Sequence, residues 1–580
     1  MIVYGDPRYV RPAGRMLRRL REAAQSAGSA PDDSRAALLQ AGCLEQAVAD
    51  QLPEHGAAVQ RVTDCFADRF ETLRRGAPDD RANAARLRRA LAELGLPEEH
   101  DLTVRVPEGF AFYALFPEQY AAAALRWAAR YPQGRVLVVG LRSIGTTLSA
   151  VVAAALRREG RAVRRLTVRP AGHPFAREVE LPAGVTAGAE WALVVDEGPG
   201  LSGSSMAAAA EALVRAGLRR DQVAFLPGHA HGPGTAASPE VRKWWETTPR
   251  FLVPPEEIRW EGRTLHELLA ERSQRLCPAA GAVISIEDLG GGAWRGAVFG
   301  DPDAWPAAFA PFELPKLRCV FQDGSALLWK FAGLSGEEES PAAAAAARLR
   351  AGAAAGWMLA PREECLGFVA VPWVGAPPLT SADAAPGVLR QIGEYLAWAA
   401  GPPVSPDEAA AAQSRLGELL AWNSVEALGE EAREPARVLI ESAAAWLAGR
   451  EPPQAGDGRL APVEWRLQPS GRLLKLDGTG HHADHTAVGR QPLWWDVAGA
   501  EVEWELGPKE AALLRRSALP PQLLAAPDLV LRFYRAAYAA FRVGQASLCE
   551  GAAADPREQA RLRTAGSFYR RALARELRTP

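Results

Sequence analysis

The segment from residue 135 to 206 constrains the fold more than any other. It holds two apolar, β-branched runs, Arg135-Val136-Leu137-Val138-Val139-Gly140 and Trp191-Ala192-Leu193-Val194-Val195. Each is followed by a turn of small residues and then by an alanine-rich stretch of helical character. A short, wholly apolar run suits a strand buried on both faces, and a repeated strand–turn–helix unit builds a parallel sheet. The alternation extends to either side: residues 117–130, 146–158 and 204–216 read as helices, and 136–140, 162–168, 193–196 and 222–226 as strands. The expected class for this part is α/β, a doubly wound parallel sheet whose ligands collect at the carboxyl ends of the strands.

Both loops at those ends suit an anion. The first is Leu141-Arg142-Ser143-Ile144-Gly145-Thr146-Thr147; the second is Gly198-Pro199-Gly200-Leu201-Ser202-Gly203-Ser204-Ser205. Backbone N–H groups at a helix start can cradle phosphate. The acids Asp196 and Glu197, just before the second loop, can accept hydrogen bonds from sugar hydroxyls. A strand, two acids, a short turn and Ser-Gly-Ser-Ser together resemble the type I phosphoribosyltransferases. That resemblance implies that Asp196 and Glu197 hold the ribose hydroxyls of phosphoribosyl pyrophosphate, with Mg2+ on the pyrophosphate. It implies that Ser202, Gly203, Ser204 and Ser205 wrap the 5′-phosphate. It makes the turn with Ser143, Gly145 and Thr146 a pyrophosphate loop, with Arg142 facing the leaving group. Residues 169–175 lie where the family carries a mobile loop. Four residues, Gly198 to Leu201, stand between the acids and Ser202, where the family usually has three. A plain doubly wound domain with small-residue turns remains an alternative. A P-loop is a weaker one: Gly140 and Gly145 have its spacing, but Thr146 stands where its lysine belongs. Gly228-His229-Ala230-His231 after the last strand is either a plain loop or a neighbour of the acceptor base.

Past residue 310 the texture changes. Residues 317–321 and 325–331 read as antiparallel strands around an Asp323-Gly324 turn. A helix at 341–356, a strand at 365–373 and mostly helices follow. Later come Leu473-Leu474-Lys475-Leu476-Asp477 and Trp494-Trp495-Asp496-Val497-Ala498. This order resembles the aminoglycoside phosphotransferase-like branch of the protein-kinase fold over about 310–545. The resemblance implies that Lys330 holds ATP phosphates, 368–377 forms the hinge, Asp477 binds magnesium and Asp496 is structural. The helix at 341–356 has no glutamate to pair with Lys330, since Glu337 to Glu339 precede it. The catalytic-loop aspartate is represented only by Glu464, in Pro462-Val463-Glu464-Trp465. Its extra methylene shifts the carboxylate by about an ångström, enough to cost on the order of a hundredfold in rate, and a degenerate kinase lobe is expected. His481, His482 and His485 after Asp477 read as a polar loop, with a nucleotide-lining or metal role as alternatives.

Across the 580 residues the expected division is a helical segment to 103, the parallel-sheet domain at 104–238, a connector at 239–292 and the kinase-like α+β domain at 293–580. Helices are expected at 15–27, 34–51 and 82–94. A net charge of −2 with dispersed Lys and Arg gives no signal for nucleic acid. Six scattered cysteines without a CxxC pair suggest reduced thiols and a cytoplasmic setting. No apolar run is long enough for a membrane span. The sequence leaves the oligomeric state open. The expected function is phosphoribosyl transfer between phosphoribosyl pyrophosphate and a nucleobase-like acceptor, in either direction, with ATP at the second domain. The alternatives are a phosphoribosyl-ligand sensor with a pseudokinase module, and a bifunctional enzyme with a working small-molecule kinase.

Overall fold

The computed structural model describes residues 1–3, 5, 7–26, 31–78, 81–234, 236–337, 340–479 and 488–578. Strand β1 (Arg8–Pro12) is followed by helices α1 (Ala13–Gln25), α2 (Pro31–Gln51), α3 (Gly56–Arg74) and α4 (Arg81–Ala92). It pairs antiparallel with β2 (Asp101–Arg105), which ties the two ends of this segment together. The patterns at 15–27, 34–51 and 82–94 correspond to α1, α2 and α4. The stripe of α3 is blurred because Arg69 and Glu71 are buried beside Val62, Phe66 and Phe70, so periodicity alone passes over it. The β1–β2 pair is equally hidden, because its partners are far apart in the chain.

The chain continues through α5 (Glu108–Ala111), α6 (Pro117–Arg130), β3 (Val136–Leu141), α7 (Ile144–Arg158) and β4 (Val163–Val168). A hairpin of β5 (Ala171–His173) and β6 (Ala176–Glu178) precedes β7 (Trp191–Val195), α8 (Ser204–Arg215), β8 (Val223–Leu226) and α9 (Pro239–Thr247). The sheet is parallel, in the order β4-β3-β7-β8. Alternation along β3 divides its side chains between two cores. Val136 and Val138 pack with α6, α7 and the amino-terminal helices; Leu137, Val139 and Leu141 pack with α8 and α9. Helices thus cover both faces, and the carboxyl ends of the strands open on one edge.

After α10 (Leu265–Leu276) come β9 (Val283–Asp288), β10 (Lys316–Phe321), β11 (Ala326–Phe331), α11 (Pro341–Ala354), β12 (Glu363–Cys365) and β13 (Phe368–Pro372). They form an antiparallel sheet in the order β12-β13-β11-β10-β9. The stretch 239–292, expected as a connector, therefore contains an edge strand of this sheet. Gly290 to Gly292, expected as a boundary, open the excursion between β9 and β10. Period-2 alternation sends Trp329 and Phe331 of β11 into the core shared with the amino-terminal helices, and so turns Leu328 and Lys330 to the opposite face.

The remainder is α12 (Pro386–Ala399), β14 (Gly401–Pro403), α13 (Pro406–Leu428), α14 (Arg433–Leu447), β15 (Pro453–Gln454), β16 (Trp465–Leu467), β17 (Leu473–Lys475), α15 (Trp494–Glu503), α16 (Pro508–Ala518), α17 (Pro521–Leu524), α18 (Asp528–Ala552) and α19 (Pro556–Leu577). These surround a second large core. Val3 is buried in it, and Ile2 exchanges two hydrogen bonds with Asn423 of α13, at 2.6 and 2.9 Å. All six cysteines are free. No helix among the described residues is long and apolar enough to cross a membrane. The cluster His481, His482 and His485 lies outside the described residues.

Candidate functional site

Two groups of candidate residues assemble, one at each sheet. At the parallel sheet, Gly140 and Gly145 allow the turn after β3 to pack backbone against backbone. A Cβ on Gly140 would lie 2.2 Å from the Gly145 carbonyl oxygen, and one on Gly145 would lie 2.6 Å from that of Val195. Their spacing is thus explained by packing. Ser143 stands at the N-cap of α7, and the Arg142–Ser143 peptide is cis. Thr146 is buried, and its hydroxyl has no partner among the described residues. The Arg142 guanidinium does not face the acids. It bonds Asp50 of α2 at 3.0 Å and the Thr167 side chain and carbonyl at 3.2 and 3.1 Å. The cation whose field reaches Asp196 is Arg169, which bonds Asp50 and the Arg142 carbonyl.

Asp196 and Glu197 follow β7 directly and are half-buried. The Asp196 carbonyl accepts from Tyr120 at 2.9 Å, and the Glu197 carboxylate accepts from the Gly109 amide at 2.6 Å. Burial pushes the Asp196 carboxyl up to about 7. It also raises Glu197 well above the carboxylate range, with Glu108 and Asp196 adding like-charge repulsion. Gly228 packs onto the Glu197 carbonyl, where a Cβ would lie at 2.6 Å. His229 and His231 follow it, their rings 5.5 Å apart at the rim.

Gly203, in the left-handed conformation at φ 63°, caps α8 and aims the following amides outward. Ser202 and Ser204 lie 3.0 Å apart, hydroxyl to hydroxyl. Both hydroxyls donate to the Pro174 carbonyl, at 2.9 and 2.7 Å. The β5–β6 hairpin thus sits on the serine turn, with a carbonyl oxygen where an anion's oxygen would be received. Ser205 is half-buried beside them.

At the antiparallel sheet, a cleft of about 160 Å³ opens between the β10–β11–β13 face and the segment 459–477. Trp373 and Val374, just past β13, line it together with Lys330, Glu464 and Asp477. Lys330 is ion-paired with Asp477, which follows β17 in sequence. The expected helix glutamate is absent from α11. Glu337, ahead of it, bonds Tyr9 at 2.8 Å and Arg11 at 3.4 Å. Arg348 of α11 donates to the carbonyls of Gly456 at 2.6 Å and Gly478 at 2.7 Å.

A second acidic loop lies near Glu464. Asp496, at the start of α15, accepts from the amides of Gly456, Asp457 and Gly458, each at 2.9 Å. The aspartate in the loop that Asp496 holds is Asp457. It is buried, receives the Tyr395 hydroxyl and lies 3.3 Å from Lys475. Glu464 lies 3.9 Å from Lys475 at the cleft wall. Burial, with some repulsion from Asp477, raises its carboxyl to about 7 despite the attraction of Lys475. The sequence signal for Asp457 was the bare triplet Gly456-Asp457-Gly458, which reads as an ordinary polar turn.

No family model matches the chain, and no curated protein matches it. Among solved structures it is similar to choline kinase LicA from Streptococcus pneumoniae, at 14% identity over 53% of this chain and 98% of that one, with a TM-score of 0.34. It is similar to a choline/ethanolamine kinase family protein from Mesorhizobium loti, at 16% identity over 49% and 97%, with a TM-score of 0.31. Wild-type aminoglycoside 2'-phosphotransferase-IIIa in its GDP complex is similar at 11% identity over 54% and 98%, with a TM-score of 0.33.

Proposed function

We propose that the antiparallel-sheet half binds a magnesium nucleotide in the manner of a small-molecule kinase. The observation that carries the reading is the meeting of Lys330 and Asp477 in a cleft that the segment after β13 also lines. A lysine on the third strand of such a sheet and an aspartate after a late hairpin are the pair that kinases use for phosphates and metal. Asp477 and Glu464 are oxygen donors suited to Mg2+, a hard cation. Magnesium would neutralise phosphate charge. Lys330 would exchange part of its bond to Asp477 for a phosphate oxygen, and Trp373 would cover the base. Asp457 is engaged by Lys475 and Tyr395, so binding, with little turnover, is what this geometry favours.

Calorimetry with Mg-ATP tests this reading. Intact protein should bind, and Lys330→Ala and Asp477→Asn should each weaken binding about tenfold to a hundredfold, the loss of one charge-assisted contact. Absence of binding by the intact protein, or binding by both variants as tight as that of the intact protein, would refute it.

A second reading concerns the parallel sheet and is favoured by Asp196, Glu197 and the serine turn converging at one edge. A phosphoribosyl pyrophosphate-type ligand would set its phosphate on the α8 amino terminus and Ser202 to Ser205, and its ribose hydroxyls on the acids. Mg2+ would draw protons off the two raised carboxyls, Asp196 titrating at about 7, so affinity should rise from pH 6 to pH 8. Transfer to a nucleobase-like acceptor would use the acids to steady a cationic sugar. Phosphoribosyl pyrophosphate binding that survives Asp196→Asn with Glu197→Gln would remove this assignment.

A further inference from the structure

Beside the proposed nucleotide cleft lies a second cavity, a chamber of about 430 Å³ that shares Leu328, Lys330 and Val371 with it. Its walls come from two parts of the chain: the amino-terminal helices and the 106–112 segment on one side, β11, α11 and β13 on the other. Leu39, Phe110, Phe331, Leu334, Leu349 and Val369 make it mostly apolar. Its space arises from a sequence feature. The run Ala342 to Ala347 gives α11 only methyl groups, and Ala344 and Ala345 face the chamber. Larger side chains there would fill it.

Native interiors are packed close to crystal density and rarely hold voids larger than a water molecule. A mostly apolar chamber of a few hundred cubic ångströms at a junction between units, with few polar groups, has the size and chemistry of a ligand site. The polar groups fix the polarity of the ligand. Tyr9 and Glu337 are bonded to each other. Two cations, Lys330 and Arg348, also line the chamber, and Lys330 is paired with Asp477 of the neighbouring cleft. Both Arg348 bonds go to neutral carbonyls, so its charge is not cancelled there.

The geometry points to a second small-molecule site in this chamber, taking a mostly apolar molecule with one anionic group directed at Lys330 and Arg348. The site goes beyond the nucleotide reading and rests on the chamber alone. Because Lys330 borders both spaces, an anion here and a nucleotide phosphate compete for one ammonium group, and the two ligands weaken each other.

The test uses the full chain and 8-anilinonaphthalene-1-sulfonate, an apolar fluorophore with one sulfonate. One equivalent should bind with enhanced fluorescence and be displaced by decanoate. Decanol should displace it at least tenfold less well. Ala345→Phe and the milder Ala344→Leu should weaken binding at least tenfold. Ala347→Phe, on the exposed side of α11, should leave it unchanged, and thermal melts confirm that each variant is folded. No binding by the intact protein, or equal binding by folded Ala344→Leu and Ala347→Phe, overturns the site. Decanol as effective as decanoate overturns its anionic end. Failure of Mg-ATP to bind in a separate titration sinks the nucleotide reading only, because no step of the chamber assay uses nucleotide.

Discussion

The two sites bury carboxylates in opposite ways. At the parallel sheet, Asp196 and Glu197 have no ion pair among the described residues, and their support comes from backbone amides and the field of Arg169. Their cost of burial is met by holding protons near neutral pH. At the antiparallel sheet, Asp477 is matched to Lys330 and Asp457 to Lys475. Protonated carboxyls without a partner can take a cation and lose nothing but their protons. A pair that is already neutralised must give up a protein contact for every ligand contact it gains. The first arrangement suits a cationic or metal-bearing ligand, and the second holds a loop in place and binds by exchange.

The comparison is broken most severely by removing the lysine at its second member. Lys475→Ala leaves Asp457 buried without its cation and should cost about 3–5 kcal/mol of unfolding free energy. Urea denaturation reads this directly, and a loss below about 1 kcal/mol would mean that the pair contributes no net neutralisation. Asp496→Ala comes next. It strips the acceptor from three loop amides and should cost about 2–4 kcal/mol, each being a bond to a charged group. Loss of Mg-ATP binding should accompany it, since the loop it holds borders Glu464 and Arg348.

At the first member the sign reverses. Both folded carboxyls are raised above their unfolded values, so between about pH 4 and 7 the folded state holds more protons and stability falls as pH rises. Asp196→Asn with Glu197→Gln removes that penalty. The double variant should be more stable than the parent at pH 8, with a gain that shrinks as pH falls and vanishes at about pH 3, below the unfolded values of both groups. Thermal melts across this range check it. A variant destabilised at pH 8 would show that the acids are structural.

What the sequence made legible follows the same division. The parallel sheet was readable because β3, β7 and β8 are unbroken apolar runs and α7 and α8 follow β3 and β7 after small-residue turns, so local pattern carried the topology. Lys330 and Asp477, singled out through the family resemblance that element order carries, come together as an ion pair. What failed was non-local. The β1–β2 pair and the membership of β9 in the second sheet depend on partners far along the chain. Asp457 acquires its role only through Asp496, thirty-nine positions later. The Arg142 side chain was assigned from its place in a loop, whereas Asp50 of α2 decides where it points.

The smallest effect belongs to the serine turn, and it tests whether the first site is open to ligand as it stands. Each serine hydroxyl has one proton to give, and both protons are given to the Pro174 carbonyl. A phosphate oxygen cannot receive them until that carbonyl withdraws. Ligand binding and docking of the β5–β6 hairpin therefore compete for the same two donors. Ser204→Ala removes one of the bonds, worth about 0.5–1.5 kcal/mol. Amide exchange over 171–178 should then quicken by a few fold up to about tenfold. Saturating phosphoribosyl pyrophosphate should change exchange there in the parent more than in Ser204→Ala, because the variant has already lost one of the contacts the ligand must displace. Exchange that is the same in the parent with and without ligand would mean that the hairpin and the phosphate do not share the turn. The proposed anion position would then have to move to the amides at the start of α7.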